Sequence, residues 1–128
     1  MNETDRTTVM LVDDHFVVRS GLAASLELEN DVEVVAEADR GEEALKLYQR
    51  HRPRVVMMDL QLPGPNGIAV TRQLLELDPD ARVLIFSTFA RDDEVLAALD
   101  AAALGYLQKS ADRDDLMKAL RTVAAGQI

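Results

Sequence analysis

The chain has 128 residues, 48% of them hydrophobic and 29% charged, with no cysteine and a formal net charge of −9. Such a length and composition make one domain with a real core, and the lack of cysteine excludes disulfides, thiolate metal sites and cysteine nucleophiles together. The acidic excess repels phosphodiester backbones and anionic membranes, so direct nucleic-acid or membrane contact by this segment is disfavoured.

The first element is the run Val9-Met10-Leu11-Val12, four apolar residues suited to a strand buried on both faces, closed by Asp13 and Asp14. Val18, Leu22 and Leu26 then recur every fourth residue along one side of a first helix, with His15 at its entry. The run at 32–36 is interrupted by Glu33 and followed by Glu37, the pattern of an edge strand with one wet face. Ala44, Leu45 and Tyr48 mark a second helix, and Arg50-His51-Arg52-Pro53-Arg54 reads as its solvated end, complementing the helix dipole.

Val55-Val56-Met57-Met58 is the third strand, closed by Asp59. The breakers Pro63-Gly64-Pro65 separate it from a third helix built on Ile68, Thr71, Leu74 and Leu75, with Asn66 as its cap. Past Pro79, the run at 83–86 ends at Ser87, and Val95, Leu96, Leu99 and Ala102 supply the apolar side of a fourth helix. Tyr106-Leu107 is a short fifth strand leading to Lys109. Asp112 caps the last helix, whose core side is Leu116, Ala119, Leu120 and Val123.

Five strand-then-helix units joined by right-handed crossovers predict an α/β fold, an open parallel sheet doubly wound by helices on both faces. In such sheets the crevice lies beyond the carboxyl ends of the strands, where the strand order reverses. Asp13, Asp14, Asp59, Ser87 and Lys109 all fall at those ends. Singly, each has a plain explanation: a helix cap, an Asx-turn before Pro-Gly, a surface lysine. Together they gather like charges that cost about 4 kcal/mol per pair at ~4 Å and an effective dielectric of ~20, unless something positive belongs among them.

Hard divalent cations prefer oxygen ligands of this kind, so the economical reading is a magnesium site that handles phosphate. Asp59 is the candidate nucleophile, able to form an acyl phosphate. Asp13 or Asp14, with Asp59 and the backbone carbonyl of Gln61, would hold Mg²⁺. Lys109 would pair with Asp59 at rest and with phosphoryl oxygen afterwards. Ser87, or its neighbour Thr88, offers a hydroxyl, and only one of the two faces the crevice. His15 reads as a helix-entry residue rather than a ligand.

The strings Leu11-Val12-Asp13-Asp14-His15, Met58-Asp59-Leu60-Gln61-Leu62-Pro63-Gly64-Pro65-Asn66-Gly67 and Gly105-Tyr106-Leu107-Gln108-Lys109 resemble the receiver domain of bacterial two-component response regulators. The likeness runs from about Val9 to Gly126, and the continuation Val17-Val18-Arg19-Ser20-Gly21-Leu22 is most similar to the NarL/LuxR-type group. It implies one receiver domain over 1–128, with its core at about 8–126 and a flavodoxin-like five-stranded sheet in the order 2-1-3-4-5. It further implies that Asp59 accepts phosphate from a histidine kinase, that Asp13 and Asp14 serve the metal, that Ser87 is the switch hydroxyl and Tyr106 the switch aromatic. Two positions depart from the common pattern: Ser110 stands where many receivers have proline after the lysine, and Ser87 replaces the commoner threonine.

The expected protein is a signalling phosphoacceptor rather than an enzyme, switching an output that the NarL/LuxR likeness makes transcriptional. DNA would be reached only through a helix-turn-helix domain beyond this chain, and receivers would pair on phosphorylation. Two other readings compete: a stand-alone receiver that docks proteins, and an aspartate-nucleophile hydrolase of the haloacid-dehalogenase type. The hydrolase would need a second aspartate where Gln61 stands, and more chain for a cap. No apolar run approaches the ~18–20 residues that span a bilayer, and the acidic start at 1–5 is unlike a secretory signal, so the expected location is the cytoplasm.

Overall fold

Strands and helices alternate five times: β1 (Thr7–Val12), α1 (Phe16–Glu27), β2 (Val32–Ala38), α2 (Gly41–His51), β3 (Val55–Met58), α3 (Gly67–Leu77), β4 (Val83–Ser87), α4 (Asp92–Asp100), β5 (Gly105–Gln108) and α5 (Arg113–Ala124). The computed structural model describes residues 6–88 and 91–128; the acidic start at 1–5 lies outside them. The strands form one parallel sheet in the order β2-β1-β3-β4-β5, as expected. Val9 to Val12 of β1 pair with Val55 to Met58 of β3, and Val56 to Met58 pair with Val83 to Ile85 of β4. The apolar runs of β1, β3 and β4 are wholly buried because helices cover both faces.

The edge position expected for β2 is observed, with Glu37 exposed. Val9 and Met10 of β1 pair with Val34 and Ala36, so one extra residue, Val35, bulges from this edge. Such a bulge twists an edge strand away from further pairing. The other edge, β5, is only half-buried.

One core layer lies between the sheet and α2, α3 and α4, built on Met10, Met58, Ile85, Tyr48, Val70 and Leu74. The opposite layer packs α1 and α5 through Leu26, Leu116, Leu120 and Val123 against Val9, Leu11, Met57 and Leu84. Both expected caps form: the Asn66 carboxamide accepts from the Ala69 N–H at 3.0 Å, and the Asp112 carboxylate from the Asp115 N–H at 2.9 Å. The basic stretch after α2 has structural work as well as solvent exposure. Arg52 takes the left-handed C-cap at φ 45°, while Arg54 and Arg82 both donate to the Ala124 carbonyl at the end of α5.

Two helix faces differ from the sequence reading. In α4 the buried residue is Ala98, with Ala101 buried just after the helix and Val95 half-buried. Leu96 and Leu99 remain 66% and 44% exposed, and Ala102 lies beyond the helix in the left-handed region at φ 71°. The 3.6-residue period fits either stripe, and the larger side chains drew the reading to the wrong one; small alanines let the helix sit close. In α1, Val18 is 38% exposed, and the buried side begins at Leu22 and centres on Leu26.

One lock joins the two ends of the α2–α3 layer. The Tyr48 hydroxyl, on a side chain 2% exposed, donates to Asp78 Oδ2 at 2.8 Å, and Arg52 meets the same oxygen at 3.1 Å. Burial first, and then the Asp78 carboxylate, push the Tyr48 phenol up from 10.0 to about 12. A phenol raised on folding contributes stability that is present below pH 10 and lost as the pH climbs to 12. Wild type should therefore lose roughly 2–3 kcal/mol across that window. Tyr48→Phe should cost about 1 kcal/mol at pH 7 but lack this alkaline loss, as read by urea unfolding at pH 7 and above pH 11.

Candidate functional site

The sheet's hydrogen-bond ladder continues past the strands and carries the polar residues with it. The Asp13 N–H donates to the Ala38 carbonyl at 3.0 Å, Asp59 N–H to Val12 at 2.9 Å, and Lys109 N–H to Ser87 at 2.8 Å. The strand order reverses between β1 and β3, so Asp13 and Asp59 stand side by side at the expected crevice. A close approach fixes the far wall. A Cβ on Gly67 would run into the Asp59 carbonyl, so only glycine can open α3 this near to β3.

Asp59 is 2% exposed and fully engaged. Its Oδ2 meets Lys109 Nζ at 3.1 Å, and its Oδ1 accepts from the Ser87 hydroxyl at 3.2 Å and from the Gln61 N–H at 3.2 Å. The last contact is the Asx-turn that the sequence offered as the plain reading; turn and cluster coexist. Lys109 Nζ lies closer still to Asp13 Oδ2, at 2.6 Å, and its side chain is only 10% exposed. Asp14 sits at the open rim, with a side chain 37% exposed and Oδ1 3.2 Å from His15 Nδ1.

These contacts set the charges. Burial pushes the Asp59 carboxyl above the ordinary aspartate value, and the Gln61 N–H and the Lys109 ammonium only partly offset it. Burial acts on Asp13 in the same sense, but Lys109 and the His15 contacts overcome it and hold that carboxyl below the ordinary value. Burial works against charge on Lys109, yet Asp13 and Asp59 raise it above an ordinary lysine, so it stays an ammonium. One ammonium thus faces two carboxylates, Asp13 and Asp59, with Asp14 at the rim, which leaves the pocket electronegative.

Of the two hydroxyls at the end of β4, Ser87 is fully buried against Asp59 and Thr88 is exposed. Tyr106 lies in β5 opposite Ile85, half-buried, its hydroxyl enclosed without a hydrogen-bond partner among the described residues. Burial, and then the charge of Glu94 in α4, raise its phenol. The bend after Lys109 forms with trans peptides, as a turn closed by the Ala111 N–H on the Gln108 carbonyl at 3.0 Å.

Two residues that the sequence reading left aside belong to the site. Arg19, one turn into α1, donates to the Asp13 carbonyl at 2.6 Å and to Glu37 of β2 at 3.0 Å, bracing the loop that carries both aspartates. His15 does enter α1, as expected, but its ring turns toward the carboxylates instead of capping the helix. Its place directly after Asp13-Asp14 was the available signal. One oxygen from each of Asp13, Asp14 and Asp59, with a His15 ring nitrogen, lie within 4.8 Å of one another. Donors gathered so closely fit one divalent cation.

Comparison with known proteins follows the same lines. Residues 9–121 match the model of the response regulator receiver domain. The chain is 34% identical over 128 residues to the nitrate/nitrite response regulator protein NarL of Escherichia coli (strain K12), covering all of this chain and 59% of that protein. It is 38% identical over 119 residues to the transcriptional regulatory protein LiaR of Bacillus subtilis (strain 168), covering 93% of this chain and 56% of that protein. The chain therefore spans little more than half the length of these relatives. A LuxR-family two-component response regulator from Aurantimonas sp. SI85-9A1 superimposes with a TM-score of 0.91 at 42% identity, covering 95% of this chain and 87% of that one. The signal receiver domain of the putative response regulator NarL from Mycobacterium tuberculosis does so with a TM-score of 0.91 at 34% identity, covering 96% and 99%. By sequence and by structure, the chain belongs to the response regulator receiver domain family.

Proposed function

We propose that this receiver domain accepts a phosphoryl group on Asp59 from a histidine kinase, with Mg²⁺ held by Asp13, Asp14, Asp59 and the Gln61 carbonyl. The observation that carries the reading is the convergence of Lys109 and Ser87 on one buried carboxylate at the sheet's reversal point. A carboxylate oxygen of Asp59 attacks phosphorus, the bond from phosphorus to the donor nitrogen breaks, and an acyl phosphate forms. Bound magnesium supplies positive charge to the phosphoryl oxygens. Lys109 exchanges its Asp59 contact for a phosphoryl oxygen, and Ser87 turns its hydroxyl from Oδ1 to another. The change reaches α4, β5 and α5 through Ser87 on β4 and the neighbouring Tyr106.

The proposed protein is a switch, with no catalytic turnover beyond self-phosphorylation from small donors and self-dephosphorylation. Its output is transcriptional, through a LuxR-type DNA-binding domain outside this chain. The regulators it resembles support that, and so does the −9 charge, which leaves DNA contact to another domain. A kinase partner and a DNA target together place the proposed protein in the cytoplasm. The described helices include none long and apolar enough to cross a membrane.

Intact-mass measurement after acetyl phosphate and Mg²⁺ tests the reading: the chain should gain one phosphoryl group that hydroxylamine removes. No gain, or a hydroxylamine-stable gain, would refute it. Ser87→Ala is expected to take the same label within about threefold, because the hydroxyl meets the phosphoryl group after transfer. The chemical-shift changes that labelling causes along α4 should fall by more than half, and an unaltered pattern would remove Ser87 from the switch.

A further inference from the structure

His15 follows the two aspartates, and its side chain is 56% exposed, yet its ring nitrogen faces inward. Nδ1 lies 3.0 Å from Asp13 Oδ1, 3.2 Å from Asp14 Oδ1 and 3.8 Å from Asp59 Oδ2. A helix-entry histidine would cap its helix or point to water, and this ring makes no cap bond. The backbone N–H of His15 already donates to Asp13 Oδ1 at 2.8 Å, so the ring is not needed to close that turn.

Donors on adjacent corners of an octahedron with bonds of ~2.1 Å sit ~3.0 Å apart. The contacts to Asp13 and Asp14 have that spacing, and the oxygens come from three different residues. Nδ1 itself stands where these acceptors meet. A divalent cation held there would take the ring through the Nδ1 lone pair, in the neutral tautomer that carries its proton on Nε2.

We infer that His15 is a nitrogen ligand of the divalent-cation site, making the site favour manganese-class ions over magnesium more than its carboxylates alone would. The inference rests on the cluster being the metal site of the proposed phosphoacceptor. Imidazole suits the first-row transition ions, Ni²⁺ and Zn²⁺ strongly and Mn²⁺ least among them, whereas Mg²⁺ is served by oxygen. His15 therefore sets which metal is preferred without being required for magnesium.

Electron spin echo envelope modulation of Mn²⁺ bound to the unphosphorylated chain reads the ligand directly. Wild type should show the nitrogen modulation of a coordinated imidazole. His51→Gln should keep it, since His51 lies at the far end of α2. His15→Gln should lose it, and its Mn²⁺/Mg²⁺ affinity ratio in competitive titration should fall ~10-fold while Mg²⁺ affinity changes less than ~2-fold. Mn²⁺ bound by wild type without nitrogen modulation, or modulation persisting in His15→Gln, overturns the inference and leaves the phosphoacceptor reading intact if Asp59 still labels in Mg²⁺. No Mn²⁺ binding at all overturns it together with the metal assignment.

Discussion

Asp59→Asn should take no hydroxylamine-labile phosphoryl group under conditions in which the wild-type chain takes one, a fall of at least ~100-fold. Three carboxylates share the pocket, and the geometry distinguishes them. Asp13 is held by Lys109 at 2.6 Å and by His15, and Asp14 opens to solvent with neither a lysine nor a hydroxyl beside it among the described residues. Only Asp59 has an ammonium and a hydroxyl on opposite oxygens, both able to follow a new phosphoryl group. The amide introduced by Asp59→Asn keeps the size of the side chain and the turn to Gln61 but lacks a nucleophilic oxygen. Labelling of the variant at the wild-type level, measured by intact mass, would move the acceptor to Asp13 or Asp14.

Lys109→Met should destabilise the fold at pH 7 by roughly 3–5 kcal/mol, the cost of leaving a buried charge without its partner. Among the described residues the lysine is the one ammonium or guanidinium in contact with both Asp13 and Asp59. Without it, the burial that already raises Asp59 is opposed by the Gln61 N–H alone, and Asp13 keeps only the His15 contacts to hold its carboxyl low. The Asp59 value, already above that of an ordinary aspartate, then rises further, and the Asp13 value rises with it. An acid raised on folding contributes stability that is present below its unfolded value and lost as the pH rises through its folded value. Denaturant unfolding should therefore show the deficit at pH 7 shrinking toward pH 4. Mg²⁺ should also recover part of it, because an ion that binds only the folded pocket stabilises by mass action. A variant as stable as wild type at pH 7 would mean that the carboxylates are not held by this lysine.

Legibility tracked the physics of each element. Strands buried on both faces leave uninterrupted apolar runs, so β1, β3 and β4 could be read directly, and their ends delivered Asp13, Asp59 and Ser87 to one place. The caps at Asn66 and Asp112 were legible because a short side chain answering a backbone N–H is a local event. What sequence could not supply was direction. Ser87 and Thr88 are distinguished only by which face of β4 the pleat gives them, and the two apolar stripes of α4 only by what they meet. Arg19 was missed because its partners are a backbone carbonyl and a glutamate on another strand, neither of which leaves a spacing along the chain.

Because α4 is seated on Ala98 and Ala101 while Leu96 and Leu99 face water, little apolar area holds it in place. At ~0.8 kcal/mol per buried carbon, two methyl groups contribute only about 1–2 kcal/mol. A hydrogen bond to a charged group is worth ~1.5–3 kcal/mol, so one new contact between Ser87 and a phosphoryl oxygen is of the same size. A shift of ~1.4 kcal/mol changes the ratio of two populations about tenfold. In the proposed switch, the modest packing of this helix sets the sensitivity of the domain: with leucines seated in place of alanines, the same chemistry at Asp59 would occur and α4 would scarcely register it.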